Sequence, residues 1–146
     1  MSVIRTSSAA DTEKAGAKLA AQLAPGDLVL IAGELGAGKT TFVRGGCRAL
    51  GVSEPVVSPT FTIGRRYRGE NGRLISHLDL YRLADMASEE EGLLDDYLSP
   101  DGIAFVEWPA VAEPDLPDAA VRVEIRHAGR DERELTIEWI REQGRP

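Results

Sequence analysis

Two short stretches of the chain are apolar without interruption, residues 28–32 (LVLIA) and residues 103–106 (IAFV). A strand that is covered on both faces has this pattern, so both stretches predict interior strands of a parallel sheet. Residues 121–126 and residues 134–139 instead alternate apolar and polar side chains, with residues 128–131 between them. This period of two predicts a C-terminal antiparallel hairpin with one solvated face.

Helical spacing marks three other segments. Residues 12–23 place apolar or small side chains three and four positions apart, behind a capping segment at residues 11–13 and ahead of a Pro-Gly turn. A second helix is predicted after the first apolar strand, running to about Leu50 and ending at Gly51. A third is predicted over residues 88–98, because a Ser-x-x-Glu capping box opens that segment.

A further hairpin is predicted around an Asn-Gly dipeptide, which favours positive φ. Tyr67 and its neighbours are expected to pair with residues 74–78 across the turn at residues 69–73. Residues 110–117 are predicted to be a proline-rich loop. The chain has no internal repeat, low-complexity tract or linker, so residues 1–146 are expected to form a single domain.

A glycine-rich segment joins the first apolar strand to the second predicted helix. Residues 33–40 (GELGAGKT) fit the phosphate-binding motif G-x-x-x-x-G-K-[ST]. Its glycines let successive backbone N–H groups turn towards an anionic phosphate, and the next helix adds its positive N-terminal end. Lys39 is expected to reach the β- and γ-phosphates, and the Thr40 hydroxyl to ligate Mg²⁺. The residues expected to contact the nucleotide here are Gly33, Gly36, Ala37, Gly38, Lys39, Thr40 and Thr41.

The motif and its flanking strand and helix predict a nucleoside triphosphate-binding protein. The expected fold is α/β, a three-layer P-loop NTPase-like fold with a central mixed, largely parallel sheet and the C-terminal antiparallel hairpin.

Charge and composition limit the partners. The chain has 17 Lys and Arg against 24 Asp and Glu, a net charge of −7. A local basic cluster at residues 65–68 with Arg73 is more typical of a solvated strand edge, so contact with nucleic acid is expected to run through a protein partner, and no DNA is expected. No apolar run reaches membrane-spanning length, residues 1–5 lack a signal-peptide core, and the one cysteine gives no disulfide pair. A cytoplasmic protein without membrane contact is expected.

Hydrolysis of a nucleoside triphosphate needs a second acidic group near Mg²⁺, and two candidates follow predicted strands. Glu107 comes directly after residues 103–106, and Asp79 comes directly after residues 74–78. Either could instead be an ordinary turn residue at a strand end. His77 is more typical of a structural imidazole than of a metal ligand, since no Cys or His lies at metal-binding spacing.

Other P-loop classes remain open to different degrees. No Asn-Lys-x-Asp segment is present, which argues against a GTPase. A small-molecule kinase needs an arginine-bearing lid, for which the chain is short, although Arg65, Arg66 and Arg82 keep this alternative. A nucleotide-gated adaptor with little hydrolysis is a third possibility, because the same residues serve binding and hydrolysis.

Four motifs occur together in one order: GELGAGKTTF (residues 33–42), SPTFT (residues 58–62), HLDLYRL (residues 77–83) and VEWP (residues 106–109). In this combination the chain resembles the bacterial TsaE family, formerly called YjeE. These proteins are small ATPases required for forming threonylcarbamoyladenosine next to the anticodon of tRNA. The resemblance covers most of the chain from residue 33 to residue 109.

The resemblance implies a catalytic site at the phosphates of ATP. Lys39 and the loop backbone would hold the phosphates, and Thr40 and Glu107 would coordinate Mg²⁺. Asp79 and Thr41, with Glu107, would serve ATP turnover.

The resemblance also implies how the base is bound and with which proteins the chain works. Trp108 would lie beside the nucleotide, and the adenine would lie between the segment around Thr12 and the hairpin near Arg130. Thr60 would belong to a switch-like loop. The partners would be TsaB and TsaD, with TsaD carrying out the transfer to tRNA, so that tRNA is met through the complex.

Overall fold

The structure, a computed structural model, describes residues 1–33, 38–57, 64–79, 98–108 and 119–140. Its elements in chain order are β1 (Ser2–Thr6), α1 (Ala9–Ala20), β2 (Leu28–Gly33), α2 (Lys39–Ala49), β3 (Gly64–Arg68), β4 (Leu74–Asp79), β5 (Ile103–Trp108), β6 (Val121–His127) and β7 (Arg133–Trp139). Neither described helix is both long enough and apolar enough to span a bilayer.

The strands form one seven-stranded sheet in the order β1-β7-β6-β2-β5-β4-β3. Its centre is parallel: Val29 of β2 lies opposite Phe105 of β5 on one side and opposite Val121 of β6 on the other, and β4 continues parallel to β5. The flanking pairs β3–β4, β6–β7 and β1–β7 are antiparallel. The mixed sheet and both hairpins predicted from the sequence are therefore confirmed.

The central strand β2 is buried on both faces, which explains its unbroken apolar sequence. Val29 and Ile31 pack with α1 and α2 in the larger hydrophobic cluster. Leu30 alternates with them onto the opposite face, where it packs with Leu78 and Val106. Both described helices thus cover one face of the sheet; the predicted helix at residues 88–98 lies outside the described residues, apart from Leu98.

Helix α1 begins earlier than the sequence indicated. The prediction of residues 12–23 was wrong by one turn, because the N-cap is Ser8 and the helix ends at Ala20. The Asp11 N–H donates to Ser8 Oγ at 3.1 Å, and the Asp11 carboxylate accepts from the Ser7 hydroxyl at 2.9 Å and from the Ser7 N–H at 3.2 Å. These hydrogen bonds from Ser7 lower the pKa of Asp11. The reciprocal caps satisfy the first-turn N–H groups before the apolar pattern begins.

Strand β1 was not predicted. It pairs with β7 along the edge of the sheet, with Ile4 opposite Leu135. β1 is an edge strand, and Val3 is 61% exposed there. An edge strand buries few side chains, so its sequence shows little of the apolar pattern that marks an interior strand. The turn of the β3–β4 hairpin does follow its prediction: Asn71 has a φ of 60° and Gly72 a φ of 72°.

The two helices cross at glycines. A Cβ built on Gly45 of α2 would lie 2.6 Å from the carbonyl carbon of Glu13 and 2.7 Å from its Cα, and closer still to its carbonyl oxygen. A Cβ on Gly16 of α1 would meet the carbonyl group of Phe42 in the same way, 3.0 Å from its carbon. The helix backbones therefore touch directly, which fixes the distance between α1 and α2 at this crossing.

Candidate nucleotide-binding site

The carboxyl ends of the central parallel strands meet the N-terminus of α2. Glu107 on β5 lies opposite Ile31 of β2, and on its other side lies opposite Asp79, the last residue of β4. The cap of α2 is Gly38, whose φ of 102° is a conformation that favours glycine. This crevice is where open α/β sheets bind ligands, and a helix N-terminus in it favours an anion.

Lys39 is held in this crevice by its own loop. Its side chain is buried, and Nζ donates a 2.6 Å hydrogen bond to the carbonyl oxygen of Gly33. Burial lowers the pKa of Lys39, while the negative charges of Glu107 and Asp79 oppose that shift. An ammonium group at the N-terminus of a helix in a phosphate-binding motif is suited to binding phosphate oxygens.

Gly33 is required by close packing at the start of the loop. A Cβ at this position would lie 2.7 Å from the Ile125 carbonyl oxygen on β6 and 3.5 Å from the methylene groups of Lys39. The glycine therefore lets β2 reach the loop beside β6 and leaves room for the Lys39 side chain. Gly36 and Ala37 lie outside the described residues.

Glu107 receives two polar side chains from different elements. The Thr40 hydroxyl of α2 donates to Oε2 at 3.2 Å and lies 3.5 Å from Oε1. His77 of β4 makes a hydrogen bond to Oε2 through Nε2. Glu107 is 4% exposed and His77 is fully buried, so both are positioned inside the sheet–helix interface. A threonine hydroxyl beside a carboxylate is a donor set that suits Mg²⁺.

No group of three or more His, Cys, Asp or Glu side chains that could hold a metal alone occurs among residues 1–33, 38–57, 64–79, 98–108 and 119–140.

A pocket of about 230 Å³ lies beside Gly38 and Thr41 at the N-terminal end of α2. Elements from both ends of the chain form it, and its lining residues are Ser7, Ser8, Ala9, Thr12, Gly38, Thr41, Asp131 and Arg133. Two hydrogen bonds fix the Thr12 side chain: its hydroxyl lies 2.8 Å from that of Thr6 and donates to the Ser8 carbonyl oxygen at 3.3 Å.

The structure thus separates the predicted site residues into two groups. Lys39, Thr40, Glu107 and Asp79 gather at the strand ends, whereas Thr41 lies with Thr12 in the pocket. Arg130 does not line that pocket. It is exposed on the β6–β7 turn, and its carbonyl oxygen accepts a hydrogen bond from Arg133.

The remaining residues are two predicted ones, Trp108 and Thr60, and the pocket residues that the sequence analysis did not predict. Trp108 is the last residue of β5, and only its backbone is described. Thr60 lies outside the described residues. The sequence analysis missed four of the pocket residues, Ser7, Ser8, Asp131 and Arg133. Ser8 could have been found because serine is a common helix N-cap, whereas Asp131 and Arg133 are marked in the sequence only by their place in a hairpin turn.

The central strands are parallel, and β2 leads through a glycine-rich segment into a helix that starts with Lys39-Thr40. The acidic residue Glu107 near the end of β5 lies against that threonine. These features define an α/β protein of the P-loop class. Within this class, the profile of the family described as "Threonylcarbamoyl adenosine biosynthesis protein TsaE" matches residues 6–135. The chain belongs to the TsaE family, as its four motifs predicted.

Individual relatives agree with the family match. A Bacillus subtilis (strain 168) protein named tRNA threonylcarbamoyladenosine biosynthesis protein TsaE is 46% identical over 126 residues, which cover 85% of this chain and 77% of that protein. A protein of the same name from Treponema pallidum is 34% identical over 131 residues, covering 89% of this chain and 95% of its own. The crystal structure of YdiB from Bacillus subtilis superposes with a TM-score of 0.73 at 36% identity and covers 95% of this chain and 85% of that one.

Proposed function

We propose that this chain binds and hydrolyses ATP with Mg²⁺ as an accessory protein in the formation of threonylcarbamoyladenosine on tRNA. One observation carries the proposal: Lys39 and Thr40, at the start of α2, meet Glu107, which lies 67 positions after Thr40, at the carboxyl end of the central strands. The name of the family, shared by relatives up to 46% identical, supplies the pathway.

The phosphates bind at the N-terminus of α2. The N–H groups that follow Gly38 and the Lys39 ammonium donate to phosphate oxygens, and Lys39 exchanges its bond with the Gly33 carbonyl for a charge-assisted bond to phosphate. Thr40 and Glu107 would hold Mg²⁺, and the ion would supply positive charge that stabilises the phosphates during hydrolysis. Asp79, opposite Glu107 on the neighbouring strand, orients the attacking water.

The remainder of the nucleotide occupies the pocket between α1 and the β6–β7 turn. Thr41 faces the phosphate nearest the ribose, and Thr12, Asp131 and Arg133 surround the nucleoside. At about 230 Å³ the pocket is smaller than the range of about 300–1,000 Å³ that is typical of small-ligand sites, which suits part of a nucleotide whose phosphates lie outside it.

Hydrolysis is coupled to a partner pair, TsaB and TsaD, which hold the tRNA. The net charge of −7 supports this division, because an acidic protein is repelled by the phosphate backbone. ATP contacts at the α2 N-terminus shift the equilibrium between docked and undocked states of the chain, and hydrolysis resets that equilibrium.

The direct test is phosphate release by the purified chain, alone and with purified TsaB and TsaD. We expect slow turnover alone and strong stimulation by the pair. Lys39→Ala and Glu107→Gln should each remove the stimulated rate, whereas Lys18→Ala, an exposed lysine on α1, serves as the matched control and should leave it unchanged. Full turnover in both site variants contradicts the assignment, and ATP-dependent phosphorylation of a metabolite without partners supports a kinase instead.

A further inference from the structure

The site contains a buried imidazole that the proposed chemistry does not use. His77 lies on the same face of the sheet as Glu107, one pleat earlier on the neighbouring strand, and has no exposed surface. Its Nε2 contacts Glu107 Oε2, while its Nδ1 has no hydrogen-bond partner among the described residues. A polar ring is costly to bury with one nitrogen unsatisfied, so the contact at Nε2 requires a reason.

The direction of this hydrogen bond follows from the acceptor. A carboxylate oxygen accepts hydrogen bonds, so Nε2 is the donor to Glu107 Oε2 in this pair. The Thr40 hydroxyl donates to the same oxygen from the opposite element. Glu107 is thus held by one donor from α2 and one from β4, and the donor on β4 is a rigid ring in the core.

We propose that His77 is a positioning residue for Mg²⁺: its Nε2–H fixes the Glu107 carboxylate in the orientation that faces Thr40. This inference rests on the proposed function, since it concerns how the same site holds the ion. A threonine hydroxyl that ligates a metal through a lone pair can still donate its proton to a carboxylate, so both donors to Glu107 Oε2 remain available when the ion binds, and His77 is the one that does not itself ligate the ion. Partners of metal ligands typically change metal affinity by about tenfold to a hundredfold when they are removed.

Three variants separate this role from a purely structural one. His77→Leu removes the donor and keeps a buried side chain, and His77→Gln places an amide N–H near the position of Nε2. Ile75→Ala is the matched control, because Ile75 is also fully buried on the same face of β4 and has no polar atom. The Mg²⁺ concentration that half-saturates binding of a fluorescent ATP analogue is measured for each, with the unfolding midpoint in urea measured alongside.

We expect His77→Leu to raise the half-saturating Mg²⁺ concentration about tenfold to a hundredfold. His77→Gln should restore most of the wild-type value, and Ile75→Ala should lower stability without changing the Mg²⁺ dependence. Equal Mg²⁺ dependence in wild type and His77→Leu overturns the positioning role. An analogue that binds the wild type without any need for Mg²⁺ instead overturns the proposed function itself.

A second measurement keeps the inference testable if His77→Leu does not fold. The ¹⁵N chemical shifts of the ring in the metal-free wild-type protein report which nitrogen carries the proton. We expect a proton on Nε2; a proton on Nδ1 alone, with Nε2 as an acceptor, overturns the inference, because Glu107 is then not held by a donor.

Discussion

Replacing Gly45 by alanine tests the contact between the two helices that frame the nucleotide pocket. In a free helix the change is favourable, since alanine is preferred to glycine by about 1 kcal/mol. Here the new methyl group would lie 2.6 Å from the carbonyl carbon of Glu13 and 2.7 Å from its Cα. The obstacle is backbone, so α1 must move away or the helix must bend.

The size of the effect is the cost of overpacking minus the helix preference for alanine. Overpacking a well-packed site costs about 1–3 kcal/mol, and the upper part of that range applies because the methyl group meets the Glu13 backbone, which cannot rotate aside as a side chain could. After subtraction of the helix preference, Gly45→Ala should destabilise the protein by about 1–2 kcal/mol. For a domain of this length, that corresponds to a fall in Tm of about 3–8 °C.

The neighbouring glycine provides the matched control. A Cβ on Gly46 would meet the ring edge of Phe105 at 2.9 Å, which is the end of a side chain rather than backbone. Gly46→Ala should therefore be less destabilising than Gly45→Ala in urea unfolding. Gly45→Ala should also weaken nucleotide binding, because Thr12 of α1 and Thr41 of α2 line the same pocket. A Gly45→Ala protein more stable than wild type by about 1 kcal/mol, as an unobstructed helix predicts, refutes this reasoning.

Three further predictions concern other positions. Gly33→Ala should lower the free energy of unfolding by about 1–3 kcal/mol, because the new methyl group meets the Ile125 carbonyl oxygen at 2.7 Å; an unchanged urea midpoint contradicts this. The Thr6–Thr12 hydroxyl pair, 2.8 Å apart and buried, should give a coupling of about 1 kcal/mol in a double-mutant cycle to valine, and additive losses contradict it. Burial raises the pKa of Cys47 to about 12. At high pH the thiol ionises more readily in the unfolded chain than in the folded one. The stability contributed by the buried thiol is therefore present below pH 9.0 and is lost as the pH rises towards 12. Urea unfolding of Cys47→Ala should not show that loss, and identical pH profiles of stability in the two proteins contradict the prediction.

Much of the fold is present in local sequence patterns. The unbroken apolar run of β2 predicted a strand covered on both faces, and residues on alternate sides of it do enter two hydrophobic clusters. The Asn71-Gly72 dipeptide predicted a hairpin turn because few other residue pairs tolerate positive φ twice in succession. The phosphate-binding motif and the family match agree, since the motif specifies its own flanking strand and helix.

Other features depend on packing that no short pattern encodes. The N-cap of α1 is Ser8, because two serines and Asp11 bond reciprocally one turn ahead of the apolar periodicity. β1 is defined by pairing with β7 at the other end of the chain. The contact of His77 with Glu107 depends on the register of β4 against β5, and from sequence His77 was indistinguishable from a core imidazole.

The central claim is that Lys39, Thr40 and Glu107 form one Mg²⁺–ATP site. Calorimetric titration of ATP into the purified chain, with Mg²⁺ and again with EDTA, tests it most directly. The account predicts one nucleotide per chain, clearly tighter with Mg²⁺, and a loss of about tenfold to a hundredfold in affinity for Lys39→Ala, because a charged hydrogen bond to phosphate is removed. Equal affinity in wild type and Lys39→Ala, with or without Mg²⁺, would contradict it.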